Sequence, residues 1–194
     1  MKTKKKIVLV GAGGHAKVVA EMIAASKKYQ LAGATDEKPQ APAAVRSGLK
    51  ILGSDAALPG LLKKGISLAA VGVGSISDTA ARSGLRAKLE KLGFSLPALV
   101  HPQAIVSASA QVESAVQVMA GCVIQGGVWL SKGCVVNTGA VVEHDCLIGL
   151  DAFIAPGAVI GGECEIGEGA FIGIGAVLIQ GVRIGAGAVI GAGS

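Results

Sequence analysis

From Val100 onward the chain places an aliphatic residue at every sixth position, through Val106, Val112, Val118 and Ile124 to Ile190, without a lapse. Four residues after each stands a small or apolar residue, from Ala104 through Val116 and Cys122 to Ala188. A helix repeats at three and four and a strand at two, so a period of six belongs to neither. It is the period of a parallel β-helix, in which each hexad forms one short strand and one corner, and stacked coils bury the aliphatic and small positions. Before Val100 the pattern changes. KIVLVG (6–11) reads as a buried strand, 15–29 as an amphipathic helix, 30–37 as a second strand and 55–65 as a shorter helix. Residues 67–75 read as a third strand and 77–93 as a helix opened by a Ser/Asp cap. Strands separated by helices predict a small parallel sheet of Rossmann type, with ligands at the carboxyl ends of its strands. The expected fold is thus α/β plus all-β: a Rossmann-like domain over 1–97, then a parallel β-helix of hexapeptide repeats over 98–194.

Composition supports the repeat. Hydrophobic residues make up 51% of the 194 residues and aromatics 3%, with 30 glycines, so the apolar content is small and aliphatic. All four cysteines, Cys122, Cys134, Cys146 and Cys164, fall in the small inward series, and without CxxC or metal spacing they read as buried reduced thiols. The net charge of +5 conceals a split: residues 1–97 carry 16 Lys or Arg against 6 Asp or Glu, and 98–194 carry 2 against 7. The basic half suits an anionic ligand or simply solvated helix faces, and its lack of aromatics argues against nucleic acid. The start, MKTKKKIVLVGAGGH, runs into glycines rather than a cleavage site, so it reads as a first strand in a cytoplasmic protein. The final stretch from Gly169 holds only Arg183 as a full charge, but its six-residue period argues against a membrane span. It stops at GAGS in phase with the repeat and without a capping segment, so a further C-terminal stretch is expected.

Two places carry candidate chemistry. Gly11, Gly13 and Ala16 satisfy a relaxed dinucleotide fingerprint, and Asp36 follows the second strand where a ribose-binding acid would sit. Too few strands are present for both mononucleotide halves, so a single nucleotide half-site fits, with backbone N–H groups and a helix start facing phosphate. The competing reading is a glycine turn that lets strand and helix pack closely. The second place is VVEHDC, 141–146, where Glu143, His144 and Asp145 occupy the corner between inward Val142 and Cys146. Imidazole titrates near neutrality, and a neighbouring carboxylate can orient it as a base; the alternative is a solvated charged corner. One coil spans three hexads, so His144 should stack on Gly162 at about 4.8 Å along the ladder. Asn137, one face earlier, is either an active-site side chain or a corner residue bonded to its own backbone.

GAGGHAKVV after the first strand, Asp36 after the second, VGVGS after the third and NTGAVVEHDCLIG within the hexads together resemble a known family. These are the bacterial sugar O- or N-acyltransferases of the sialic acid O-acetyltransferase type, including the UDP-4-amino-sugar N-acetyltransferases. The resemblance spans essentially the whole chain. It implies a left-handed β-helix, where the general rule for crossovers would give a right hand, and a homotrimer with acetyl-CoA bound between subunits. It also implies acetyl transfer to a nucleotide-linked sugar in surface-glycan synthesis, with no metal. His144 then matches the general base and Asp145 the carboxylate beside it. Gly13, Gly14, His15, Asp36 and Gly74 match positions lining the sugar-nucleotide site. Gly162 matches the glycine whose N–H meets the thioester carbonyl, and Ile174 a coenzyme A contact. Phe153 stands where the family commonly has a second histidine touching acetyl-CoA. The implied reaction is direct transfer, His144 taking the acceptor's proton while Gly162 N–H stabilises the oxyanion.

Other classes compete. A zinc enzyme on the same solenoid needs three converging histidines, and the repeats hold only His101 and His144. A nucleotide-dependent oxidoreductase is disfavoured by the small first domain. A non-catalytic trimeric nucleotide-binding scaffold remains as the alternative.

Overall fold

The computed structural model describes residues 4–38, 45–46 and 48–194, so the first three residues of the basic head lie outside the described residues. The residues fall into two compact units, one of 1–74 and 84–97 and the other of 75–83 and 98–194. Ser75–Ser83 thus groups with the repeats rather than with the α/β residues on either side.

In the first unit, strand β1 (Lys5–Val10) lies between β2 (Tyr29–Thr35) and β3 (Leu68–Val71), all parallel. Ile7 to Val10 are buried, as a continuous aliphatic run in a parallel sheet requires. Helix α1 covers Gly14–Ser26 and ends earlier than its apolar pattern predicts, because Lys27 turns left-handed (φ 55°) and Tyr29 already pairs with Lys5. The predicted helix over 55–65 is a single 3₁₀ turn, Asp55–Ala57, running into α2, Leu58–Lys63. Helix α3, Ala80–Lys91, is opened by Asp78, whose Oδ1 accepts the Ala80 N–H at 2.7 Å. The third strand stops at Val71 rather than continuing to Ser75. Beyond it Gly72 packs onto the Gly11 carbonyl so closely that a Cβ there would overlap the oxygen, which brings the β1 and β3 ends together.

The second unit is a parallel β-solenoid of about five turns, consistent with a left-handed β-helix. Its two-residue strands run from Leu99–Val100 to Val189–Ile190 and build three parallel faces of six, five and five strands. Each strand pairs with those one coil away, as Val135 does with Gln117 and Phe153. The second residue of each strand points inward, and from Val118 to Ile172 this series is buried, each side chain contributing roughly 1.5–3 kcal/mol. The small series completes the core, including all four free cysteines. Burial pushes the Cys122 and Cys146 thiols up to about 11 and raises that of Cys134 further, so they act as small hydrophobes.

The first residue of each strand points outward, and here the faces differ. On the second and third faces Ile105, Trp129, Leu147 and Val177 are exposed. On the first face Leu99, Gln117, Val135, Phe153 and Phe171 are buried. Ser75–Ser83 lies along that face, with buried Thr79 donating its hydroxyl to the Gly169 carbonyl at 3.1 Å.

Candidate active site

The edge between the second and third faces carries His144. Coil stacking there is held by backbone bonds, Asp145 N–H to Gly126 O at 3.0 Å and Glu163 N–H to His144 O at 2.9 Å. His144 therefore has Gly126 one coil before it and Gly162 one coil after. The ring lies against Gly162: a Cβ there would come within 2.6 Å of Nε2. Only glycine leaves the imidazole that space. His144 Nδ1 meets Asp145 Oδ2 at 2.9 Å, and Asp145 reaches it from a left-handed backbone (φ 57°) that L residues seldom adopt.

The hydrogen bond to Asp145 raises the His144 pKa above its ordinary value; partial desolvation opposes this, and the charges of Asp145, Glu163 and Glu143 add to it. A carboxylate that takes the Nδ1 proton selects the tautomer whose Nε2 carries the lone pair. Among the described residues nothing hydrogen-bonds Nε2, and the Gly162 N–H has no partner either. A proton acceptor and a free backbone donor thus stand side by side.

Asn137 and Ile174 lie along the other edge of the second face, where it meets the first, and Phe153 lies on the adjoining first face. They line a cleft of about 480 Å³ with Ser75, Ile76, Pro156 and Phe171 among its walls. Phe153 is 2% exposed and stacks on Phe171, ring centroids 5.5 Å apart. Ile174 is 61% exposed. Asn137 Oδ1 accepts the Thr138 N–H at 2.8 Å, the local backbone bond expected of a corner side chain. The Ser75 hydroxyl oxygen, at the cleft wall, is buried without a partner.

The residues matched to the sugar-nucleotide site gather at the carboxyl ends of β1, β2 and β3. Gly13 and Gly14 stand in open space at the start of α1, and Gly74 lies against His15, where a Cβ would come within 3.1 Å of the histidine's own. Asp36 Oδ2 accepts the Ala12 N–H at 2.8 Å and its Oδ1 the Lys38 N–H at 2.8 Å, so the acid braces the glycine loop. A cluster the sequence pattern does not announce lies close by: buried Asp55 accepts the Thr35 hydroxyl at 2.9 Å and Lys88 Nζ at 3.1 Å. The bond to Asp55 raises the Lys88 pKa despite opposing desolvation.

The candidate residues therefore form three groups: His144, Asp145 and Gly162 on one edge; Asn137, Phe153 and Ile174 around the cleft at another; and Gly13, Gly14, His15, Asp36 and Gly74 in the α/β unit. Comparison with known proteins places these groups in a family. A profile described as the PglD N-terminal domain matches residues 6–83, one for the hexapeptide repeat of succinyl-transferase matches 139–169, and one for the bacterial transferase hexapeptide matches 163–194. The crystal structure of PerB from Caulobacter crescentus in complex with CoA and GDP-perosamine is 37% identical, with a TM-score of 0.88 over 100% of this chain and 88% of that one. A histidine-to-asparagine mutant of perosamine N-acetyltransferase from the same organism, with the same ligands, is 38% identical with a TM-score of 0.89 at the same coverage.

The chain belongs to the bacterial hexapeptide-repeat sugar acyltransferases. A further member of this acyltransferase family, the acetyltransferase domain of PglB from Neisseria gonorrhoeae in complex with acetyl coenzyme A, is 37% identical with a TM-score of 0.85, covering 98% of this chain and 90% of its own. Comparison with curated proteins gives no match. Among the described residues of this acyltransferase, no helix is long and apolar enough to cross a membrane, and no group of three His, Cys, Asp or Glu could hold a metal ion.

Proposed function

We propose that this acyltransferase moves an acetyl group from acetyl-CoA to an amine or hydroxyl of a nucleotide-linked sugar, with His144 as general base. The carrying observation is the His144 ring, tied to Asp145 through Nδ1 and seated with Nε2 over the Gly162 backbone. As the acceptor nitrogen or oxygen bonds to the thioester carbonyl carbon, Nε2 takes its proton and the Gly162 N–H donates to the oxyanion. The tetrahedral intermediate then expels the thiolate, which recovers the proton from the imidazolium. No acyl-enzyme forms. Asp145 stabilises the cation and holds the tautomer. The likeness to enzymes crystallised with GDP-perosamine and CoA favours a sugar amine as acceptor.

The α/β residues, in a domain spanning 1–97, would hold the nucleotide, with phosphate at the open Gly13–Gly14 start of α1. Residues 98–194 would carry the transfer. Asn137, Phe153 and Ile174 would meet the coenzyme or the sugar along their cleft. Because that cleft and His144 lie on different edges of one solenoid, a site using both takes one edge from each of two copies. A homotrimer with sites between subunits fits this, as does a cytoplasmic supply of acetyl-CoA.

The test is thiol release from acetyl-CoA in the presence of a panel of amino-sugar nucleotides, with sedimentation to report assembly. Turnover by the wild type, lowered about 10²–10⁴-fold in His144→Ala while trimer and nucleotide binding persist, is expected. Absence of thiol release with every acceptor would leave a nucleotide-binding scaffold instead.

A further inference from the structure

From Ala115 to Gly193 every sixth residue of the solenoid adopts a left-handed backbone, and most of these positions are glycine. Glycine is not obligatory there: Ala115, Asp145, Asp151 and Glu163 occupy equivalent positions with φ between 53° and 60°. Backbone conformation alone therefore does not explain Gly127, which has φ 72°. Its neighbourhood does. Gly127 lies one coil before Asp145, and a Cβ built on it would overlap Asp145 Oδ1. At Gly187 (φ 66°) and Gly181 (φ 75°), which share the conformation, an added Cβ meets nothing within 4 Å.

We propose that Gly127 is a positioning residue for the His144–Asp145 pair: its missing side chain is the seat on which the Asp145 carboxylate rests while it holds the imidazole. The rest of the coil before His144 is built to the same end. Ser109 Oγ accepts the Gly127 N–H at 3.2 Å, and Gly126 O accepts the Asp145 N–H at 3.0 Å, so the seat and the residue above it are both tied down. A methyl group at 127 leaves the carboxylate one escape, rotation into solvent, because its side chain is 65% exposed. That rotation separates Oδ2 from Nδ1. Glu143 on the same corner and Glu163 on the next coil, the latter held by Gln180 Nε2 at 2.8 Å, still act on the ring through their charge. The facing residues of the coil before, Gln125, Gly126 and Gly127, are uncharged.

The inference rests on His144 being the base, but its first readout does not. The chain has only three histidines, His15, His101 and His144, so the imidazoles can be followed one by one by NMR. In Gly127→Ala the His144 titration midpoint should move down toward that of Asp145→Ala, while Gly187→Ala, with the same backbone cost, leaves it in place. In Gly127→Ala/Asp145→Ala the midpoint should match Asp145→Ala alone, since the two changes remove one interaction. An unmoved midpoint in Gly127→Ala, or additive shifts in the double variant, would overturn the proposal. Should Gly127→Ala fail to fold, recovery of the fold in the double variant supports the overlap with Asp145, and failure to recover it overturns it. The second readout is turnover: kcat in Gly127→Ala should fall about 10-fold or more, a share of the ~10²–10⁴ of general-base catalysis, with its acidic limb at lower pH. A moved midpoint with no acetyl transfer even in the wild type would spare the positioning role and sink the proposed reaction.

Discussion

The two edges that bound the second face share one backbone and use it oppositely. On the Asn137 edge, Ala155, Pro156, Gly173 and Ile174 succeed one another along the coils and an apolar cleft results. On the His144 edge, Gly162 lies one coil after the histidine and Gly127 one coil before the acid, and the polar groups fill the space those two glycines leave. The inward positions of the coil differ little between the edges. Where polar side chains gather on these two edges is thus a matter of which corner column carries them and which column is emptied to receive them.

The sharpest way to break this contrast is to strip each edge in turn. His144→Ala should lower turnover by about 10²–10⁴, with a melting midpoint by calorimetry unchanged at alkaline pH, where the pair with Asp145 no longer contributes and the side chain is 50% exposed; a small loss of turnover would move the chemistry elsewhere. Phe153→Ala should do the reverse. Its buried, stacked ring predicts a loss of about 3–5 kcal/mol in urea denaturation, with the pH–rate profile of the folded fraction keeping its shape.

Asp145→Asn should have a smaller effect, and its sign follows from the raised His144 pKa. Losing the carboxylate lowers that pKa, so the acidic limb of kcat/KM moves to lower pH while the plateau falls. The stabilisation from the pair is present below the ordinary histidine pKa and is lost as pH rises through the raised folded value. Wild type and variant should therefore converge in stability at alkaline pH, and a gap that widens there would contradict the pairing. The mildest change is Ile174→Ala, expected to raise KM for acetyl-CoA several-fold while stability stays within ~0.5 kcal/mol, as for an exposed position.

Much of the solenoid is legible in the sequence alone. His144 above Gly162 follows from counting one coil, and the same count backwards would have found Gly126 and Gly127. What the count misses is direction: the ring leans toward Gly162 and the carboxylate toward Gly127, a choice made by side-chain rotation. The α/β unit was legible in its strand order of appearance but not in its endings. The close approach of Gly72 to Gly11 stops β3, and the turn at Lys27 stops α1; neither has a periodic signature. Asp36 braces the glycine loop through backbone N–H groups, and Lys88 reaches Asp55 across intervening chain, ties that the hydrophobic pattern does not relate.

By itself the sequence determined which solenoid residues are core and which are corners, because in a repeating coil the neighbours of a residue lie a constant number of positions away. Only the tertiary structure decided that Ser75–Ser83 lies along the first face and that Asp145 rests over a glycine. Those facts depend on approaches between segments and on rotamers, and neither is written in a period of six.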